Sequence, residues 1–143
     1  MTAARTLRSP QSLAEAGLVA PERLLPLERV AAQYAVAITP AMADLIDAAD
    51  PHDPIARQFV PAEAELDVLP EESPDPIGDN AHSPVEGVVH RYPDRCLLKV
   101  NHACAVYCRF CFRREMVGPD GVRPLSVEAL DAAMAYISGK PDI

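Results

Sequence analysis

The chain has 143 residues, 49% of them apolar, which permits one domain with a core and excludes a fully disordered protein. Its formal charge of −8 argues against broad nucleic-acid binding, which needs a basic face to neutralise phosphates. No apolar run approaches the roughly 20 residues of a spanning helix, and the polar, Arg-containing start lacks a signal-peptide hydrophobic region, so the cytoplasm is the expected location.

In chain order, Ser12 to Gly17 predicts a short helix. Residues 22 to 38 carry Leu27, Val30, Ala31, Tyr34 and Ile38 at three- and four-residue steps, the stripe of an amphipathic helix. Thr39 followed by Pro40 supplies an N-cap and an N1 proline for a helix from Pro40 to about Ala49, ending before Asp50-Pro51. Residues 1–50 are thus expected to form a helical N-terminal region. From 51 to 93 the character changes: eight prolines fall here, and no Lys or Arg stands between Gln58 and His90. Proline removes donors and restricts its predecessor, so this stretch predicts an extended acidic connection. Its Glu63, Glu65, Asp67, Glu71, Glu72, Asp75 and Asp79 read as a solvated surface, while Phe59, Val60, Leu66, Val68 and Leu69 argue for an ordered wrap over a disordered linker.

Cys96 to Val100 predicts a short strand after the Tyr92-Pro93-Asp94 turn signal. A cysteine-bearing loop follows, and Ser126 then caps a helix from Val127 to Ser138 whose Val127, Leu130, Met134 and Ile137 share a face, with Gly139 and Pro141 as stops. Strand, loop and helix make one β/α unit over residues 94–143, an α/β arrangement in which function collects on the loop after the strand.

Three cysteines, Cys104, Cys108 and Cys111, stand on that loop in a C-x3-C-x2-C spacing. Crowded into eight residues of a chain without secretion signals, they favour metal or cluster ligation over disulfides. Three thiolates can hold a 4Fe-4S cluster with one iron open to a ligand. Zinc is the alternative, held by the same cysteines and His102 in a structural interaction module. Cys96 reads as a buried small hydrophobe, and His52, His82 and His90 lack partner ligands.

Arg91 and Arg95 precede the predicted strand, and Arg109, Arg113 and Arg114 surround the cysteines, a local basic cluster in an acidic chain. Guanidinium forks suit phosphate and carboxylate, so the cluster fits anionic ligands. The competing role, pairing with the acidic segment, is expected more for Arg95 and Arg114 than for Arg91 and Arg113.

The C-x3-C-x-aromatic-C pattern, with Phe110 at the aromatic position, resembles the radical S-adenosylmethionine enzymes. Within them the runs Ile38-Thr39-Pro40, Asp53-Pro54-Ile55, Asp75-Pro76-Ile77-Gly78-Asp79 and His90-Arg91-Tyr92-Pro93-Asp94-Arg95, then the cysteines and Arg113-Arg114, resemble the lysine 2,3-aminomutase family over most of residues 20 to 140. The resemblance implies the N-terminal part of an isomerase that shifts an amino group between adjacent carbons, L-lysine to β-lysine in the leading case. Relatives that make β-lysine for elongation factor P or act on glutamate are the alternatives. It implies a partial TIM-type barrel, of which this chain would be a truncated start, inactive alone. By resemblance Cys104, Cys108 and Cys111 bind the 4Fe-4S cluster, whose open iron chelates S-adenosyl-L-methionine to release a 5′-deoxyadenosyl radical. Phe110 lies beside the adenine, Arg91, Tyr92 and Arg95 lie at pyridoxal 5′-phosphate, and Arg113 lies at the amino-acid carboxylate. No catalytic residue is expected within this segment: neither Lys99 nor Lys140 matches the family's pyridoxal-binding lysine, which would lie beyond it. An electron donor for the cluster and a homo-oligomeric state are implied in the same way.

Overall fold

The structure, a computed structural model of the chain, describes residues 5–114, 116, 117 and 124–143. Helix α1 spans Pro10–Glu15, beginning earlier than the expected Ser12 because Ser9 and Ser12 cap reciprocally: each side-chain oxygen accepts the other's backbone N–H at 3.1 Å. It ends in a Schellman motif, with Gly17 at φ 75° and Leu18 N–H donating to Leu13 at 2.9 Å.

Pro21–Arg23 forms a 3-10 turn leading into α2, Leu24–Ala31. The predicted stripe is half helical and half extended. Leu27, Val30 and Tyr34 are buried as expected, but Ile38 reaches the core from a β-bridge, exchanging 2.8 and 3.0 Å hydrogen bonds with Leu7. Position 38 satisfies its burial without the helix because Leu7 offers backbone partners and Pro40 disfavours helix just before it.

Helix α3, Pro40–Ala43, opens on Thr39 as predicted but is shorter than the expected Pro40 to Ala49. The carboxylates of Asp47 and Asp50 accept the backbone N–H of Ala49 and His52 at 2.9 and 2.8 Å, a local alternative to the helical ladder. Helix α4, Ala56–Phe59, follows the buried Asp53, whose carboxylate accepts the Ala56 N–H. Phe59 enters the main core with Leu13, Leu27, Val30, Val36 and Ile38, and Val60 and Leu66 pack against it. Val68 and Leu69 instead stay exposed.

Strands β1, Val88–Tyr92, and β2, Arg95–Leu98, pair antiparallel around Pro93-Asp94, with Val88 opposite Leu98 and Val89 opposite Leu97. The expected lone strand from Cys96 to Val100 is therefore the second arm of a hairpin, and Cys96 is half-buried. A two-residue connection can only reverse the chain, whereas parallel pairing needs a crossover, so no barrel-type parallel sheet appears among the described residues. Beyond the cysteine loop the chain returns to the hairpin's open end, where Leu125 N–H donates to Val100 at 3.2 Å and the Leu125 side chain fills the space beside Gly87.

Helix α5, Val127–Ser138, has the predicted bounds and Ser126 cap. Its inward stripe differs: Ala133 is fully buried with Leu130, Tyr136 and Ile137 partly buried, while Val127 and Met134 lie on the exposed flank. Small Ala133 permits close approach, and Tyr136 Oη sits 2.7 Å from His90 Nδ1 on β1, setting the helix's rotation. Among the described residues no helix is long and apolar enough to cross a membrane.

Candidate cluster loop and anion cleft

The cysteine loop is held by two buried side chains that alternate with the thiols. Tyr107 enters the N-terminal core, its N–H donates to Ala37 at 2.8 Å and its hydroxyl to the Arg114 carbonyl at 3.1 Å. Arg109 donates its N–H to Gln58 at 2.8 Å, and its guanidinium is buried against Glu65, with Nη2 2.6 Å and Nε 3.1 Å from the carboxylate, and against the Ala35 carbonyl at 2.7 Å from Nη1. A turn with Cys111 N–H donating to Cys108 at 3.1 Å then draws those two cysteines together.

All three thiols are free; Cys104 is exposed and Cys108 and Cys111 are half-buried. Burial, then the charges of Cys111 and Cys104, push the Cys108 thiol above its ordinary pKa. Among the described residues no three His, Cys, Asp or Glu side chains stand where they could hold a metal ion. Both ring nitrogens of His102 are buried without a hydrogen-bond partner. Phe110 is 75% exposed and lines a cleft of about 530 Å³ with Cys111, Phe112 and Arg114.

A second cleft, about 390 Å³, lies between the hairpin and the 77–79 turn and gathers Arg91, Tyr92, Arg95 and Arg113. For Arg91 and Arg113 the pairing runs against the expectation: both meet the acidic segment, through Asp79, at 3.4 and 2.9 Å. Among the described residues Arg95 pairs only with its exposed neighbour Asp94, and it stacks on Tyr92. Arg114 lies 4.1 Å over the Tyr34 ring and donates to its hydroxyl.

Glu65, Asp75 and Asp79, assigned to a solvated surface from sequence, are thus structural anchors. Glu65 holds Arg109, Asp79 holds two arginines, and Asp75 accepts the backbone N–H of Asp79 and Asn80 at 2.8 and 2.9 Å. The available signal was complementarity: an acidic stretch without Lys or Arg, followed by five arginines between 91 and 114.

No protein-family profile matches the chain. Among curated proteins it is 41% identical over 109 residues to the L-lysine 2,3-aminomutase of Clostridium subterminale, covering 76% of this chain and 26% of that protein. It is 42% identical over 106 residues to the L-lysine 2,3-aminomutase of Bacillus subtilis, covering 74% and 22%. With the glutamate 2,3-aminomutase of Clostridioides difficile it shares 38% identity over 92 residues, covering 64% and 22%. The chain spans about a quarter of the length of these relatives. Matches of this strength make the chain a homologue, over part of their length, of the L-lysine 2,3-aminomutases.

Proposed function

We propose that this chain carries the cluster loop and anion cleft of a radical S-adenosylmethionine, pyridoxal-phosphate-dependent amino-acid 2,3-aminomutase that converts L-lysine to β-lysine. The observation that carries this reading is the 104–114 loop: three free thiols on a segment locked at Tyr107 and Arg109, leading directly into the arginine cleft through Arg113. The similarity to L-lysine 2,3-aminomutases supports lysine as substrate. Glutamate, named for one relative, is the alternative substrate, and making β-lysine for elongation factor P is an alternative use of the same product.

The donor set fits a cluster. A zinc ion draws its ligands to one point at about 2.3 Å from each sulfur, whereas a cubane receives each thiolate at a separate corner. The C-x3-C-x2-C spacing with Phe110 between the last two cysteines supports the second arrangement. Cys104, Cys108 and Cys111 would ligate it, with exposed Phe110 available to the adenine. When bound, the cluster with S-adenosylmethionine supplies the one-electron chemistry that starts hydrogen abstraction, and pyridoxal phosphate supports migration of the amino group.

The chain's own residues bind and orient. Arg91, Tyr92 and Arg95 would meet the pyridoxal phosphate end and Arg113 the amino-acid carboxylate, all from one cleft. The loop's burial against the N-terminal core keeps Arg109 and Tyr107 dry, so the cysteine positions do not depend on exposed contacts. In this reading β2, the loop and α5 form the first β/α unit of a partial barrel.

The test is anaerobic reconstitution of the full reading frame with iron and sulfide, followed by EPR with and without S-adenosylmethionine and mass detection of β-lysine. The expected result is about four irons, a signal that shifts on adding S-adenosylmethionine, and β-lysine from lysine. Cys108→Ala should abolish cluster and activity. Tightly held zinc without a cluster would instead establish the structural zinc module with His102.

A further inference from the structure

The structure assigns Asp79 as the positioning residue that fixes the spacing of Arg91 and Arg113 for an anionic ligand, a role that rests on the aminomutase reading for its substrate. Its side chain is 8% exposed, and each carboxylate oxygen serves a different arginine: Oδ1 accepts from Arg91 Nη2 at 3.4 Å, Oδ2 from Arg113 Nε at 2.9 Å. The two arginines come from β1 and from the end of the cysteine loop, so this carboxylate is where those two elements are joined by charge. One carboxylate against two guanidiniums leaves an excess of positive charge at the cleft.

Asp79 is itself fixed. Its N–H donates to Asp75 at 2.8 Å, and its carbonyl accepts the Ser83 hydroxyl at 2.8 Å. Each guanidinium is therefore held along one edge, while Nη1 and Nη2 of Arg113 and Nε and Nη1 of Arg91 have no hydrogen-bond partner among the described residues. Held edge and open edge together make a preorganised fork for phosphate or carboxylate. Without the shared carboxylate, two like charges that are 36% and 30% exposed repel; Arg91 keeps its Nη2 bond to the Ile77 carbonyl, while Arg113 is released to swing into water. Orientation, more than added charge, decides the affinity of such a fork.

The experiment compares the full-length reconstituted protein with Asp79→Asn, which keeps size and removes charge, and Asp79→Glu, which restores a carboxylate. We expect D79N to raise the KM for lysine by about 10-fold or more while iron content and the S-adenosylmethionine-induced EPR shift stay at wild-type levels, with D79E recovering most of the loss. Inorganic phosphate, titrated by calorimetry into wild type and D79N, reads the clamp without turnover, and weaker binding by D79N is expected. Equal or tighter phosphate binding, or an unchanged or lower KM, would overturn the assignment, because charge alone would then govern the cleft. Loss of iron and of folded signal in D79N that D79E does not restore would also overturn it, by making the residue purely structural. A wild type that binds phosphate through Asp79 yet never forms β-amino acid would refute the aminomutase reading and leave the clamp standing.

Discussion

Replacing Glu65 by Ala should cost this chain about 3–5 kcal/mol of stability, the range for breaking a buried ion pair by removing one partner. The side chains of Arg109 and Glu65 are 4% and 14% exposed, and the contacts include a 2.6 Å charge-assisted hydrogen bond and two at 3.1 Å. In E65A, among the described residues, only the Ala35 carbonyl still accepts from the guanidinium, so a buried positive charge loses its counter-ion. A loss of 3 kcal/mol is more than 100-fold in the folding constant, enough to detach the loop from the N-terminal core. Replacing both partners by apolar residues, Glu65→Leu with Arg109→Met, should recover most of that loss, since the desolvation of both charges vanishes with them. The assay is urea denaturation of wild type, E65A and the double variant, read as midpoint shifts at constant slope. A loss below about 1 kcal/mol in E65A would refute the argument by showing that the pair behaves as a hydrated surface bridge.

Other perturbations test other joints. Gly87→Ala should cost about 2–4 kcal/mol, because Gly87 has φ +82° and an added Cβ would lie 2.4 Å from Leu125 Cδ1; trimming the neighbour in G87A/L125A should relieve the clash but not the backbone strain, as thermal melts would register. Tyr136→Phe should lose about 1 kcal/mol by removing the 2.7 Å contact with His90 while keeping the edge-to-face ring packing, measured by urea midpoint. The raised Cys108 pKa means that the folded, metal-free chain holds that proton more tightly than the unfolded chain. Its stabilising contribution is full below the ordinary thiol pKa and is lost as pH rises through the folded value. Cys111→Ser should move the Cys108 pKa downward, since Cys111 is the larger of the two charge effects; a thiolate absorbance titration showing no downward shift would refute the electrostatic account.

Much of the candidate site was legible because its signals are local. The C-x3-C-x2-C spacing, the Arg91-Tyr92 run and Arg113 lie in short segments, and the structure brings the arginines and Tyr92 into one cleft. Which acid holds which arginine was not legible, since partners such as Glu65 and Arg109 are far apart in sequence and an isolated acid in a Pro-rich stretch looks the same whether solvated or paired. Phe110, left open from sequence between a core aromatic and a cofactor contact, is exposed in the structure.

The same division runs through the fold. Sequence by itself determined the helix caps at Thr39 and Ser126, the bounds of α5 and the turn at Pro93-Asp94, because each depends on neighbouring side chains and backbone groups meeting within a few residues. Tertiary structure alone decided that Ile38 is reached as a bridge to Leu7, that Val88–Tyr92 is a strand, and which flank of α5 faces inward. Those outcomes turn on partners remote in sequence: a buried backbone group takes whichever donor or acceptor the packed core presents, and an apolar stripe states only that burial is needed, not which surface provides it.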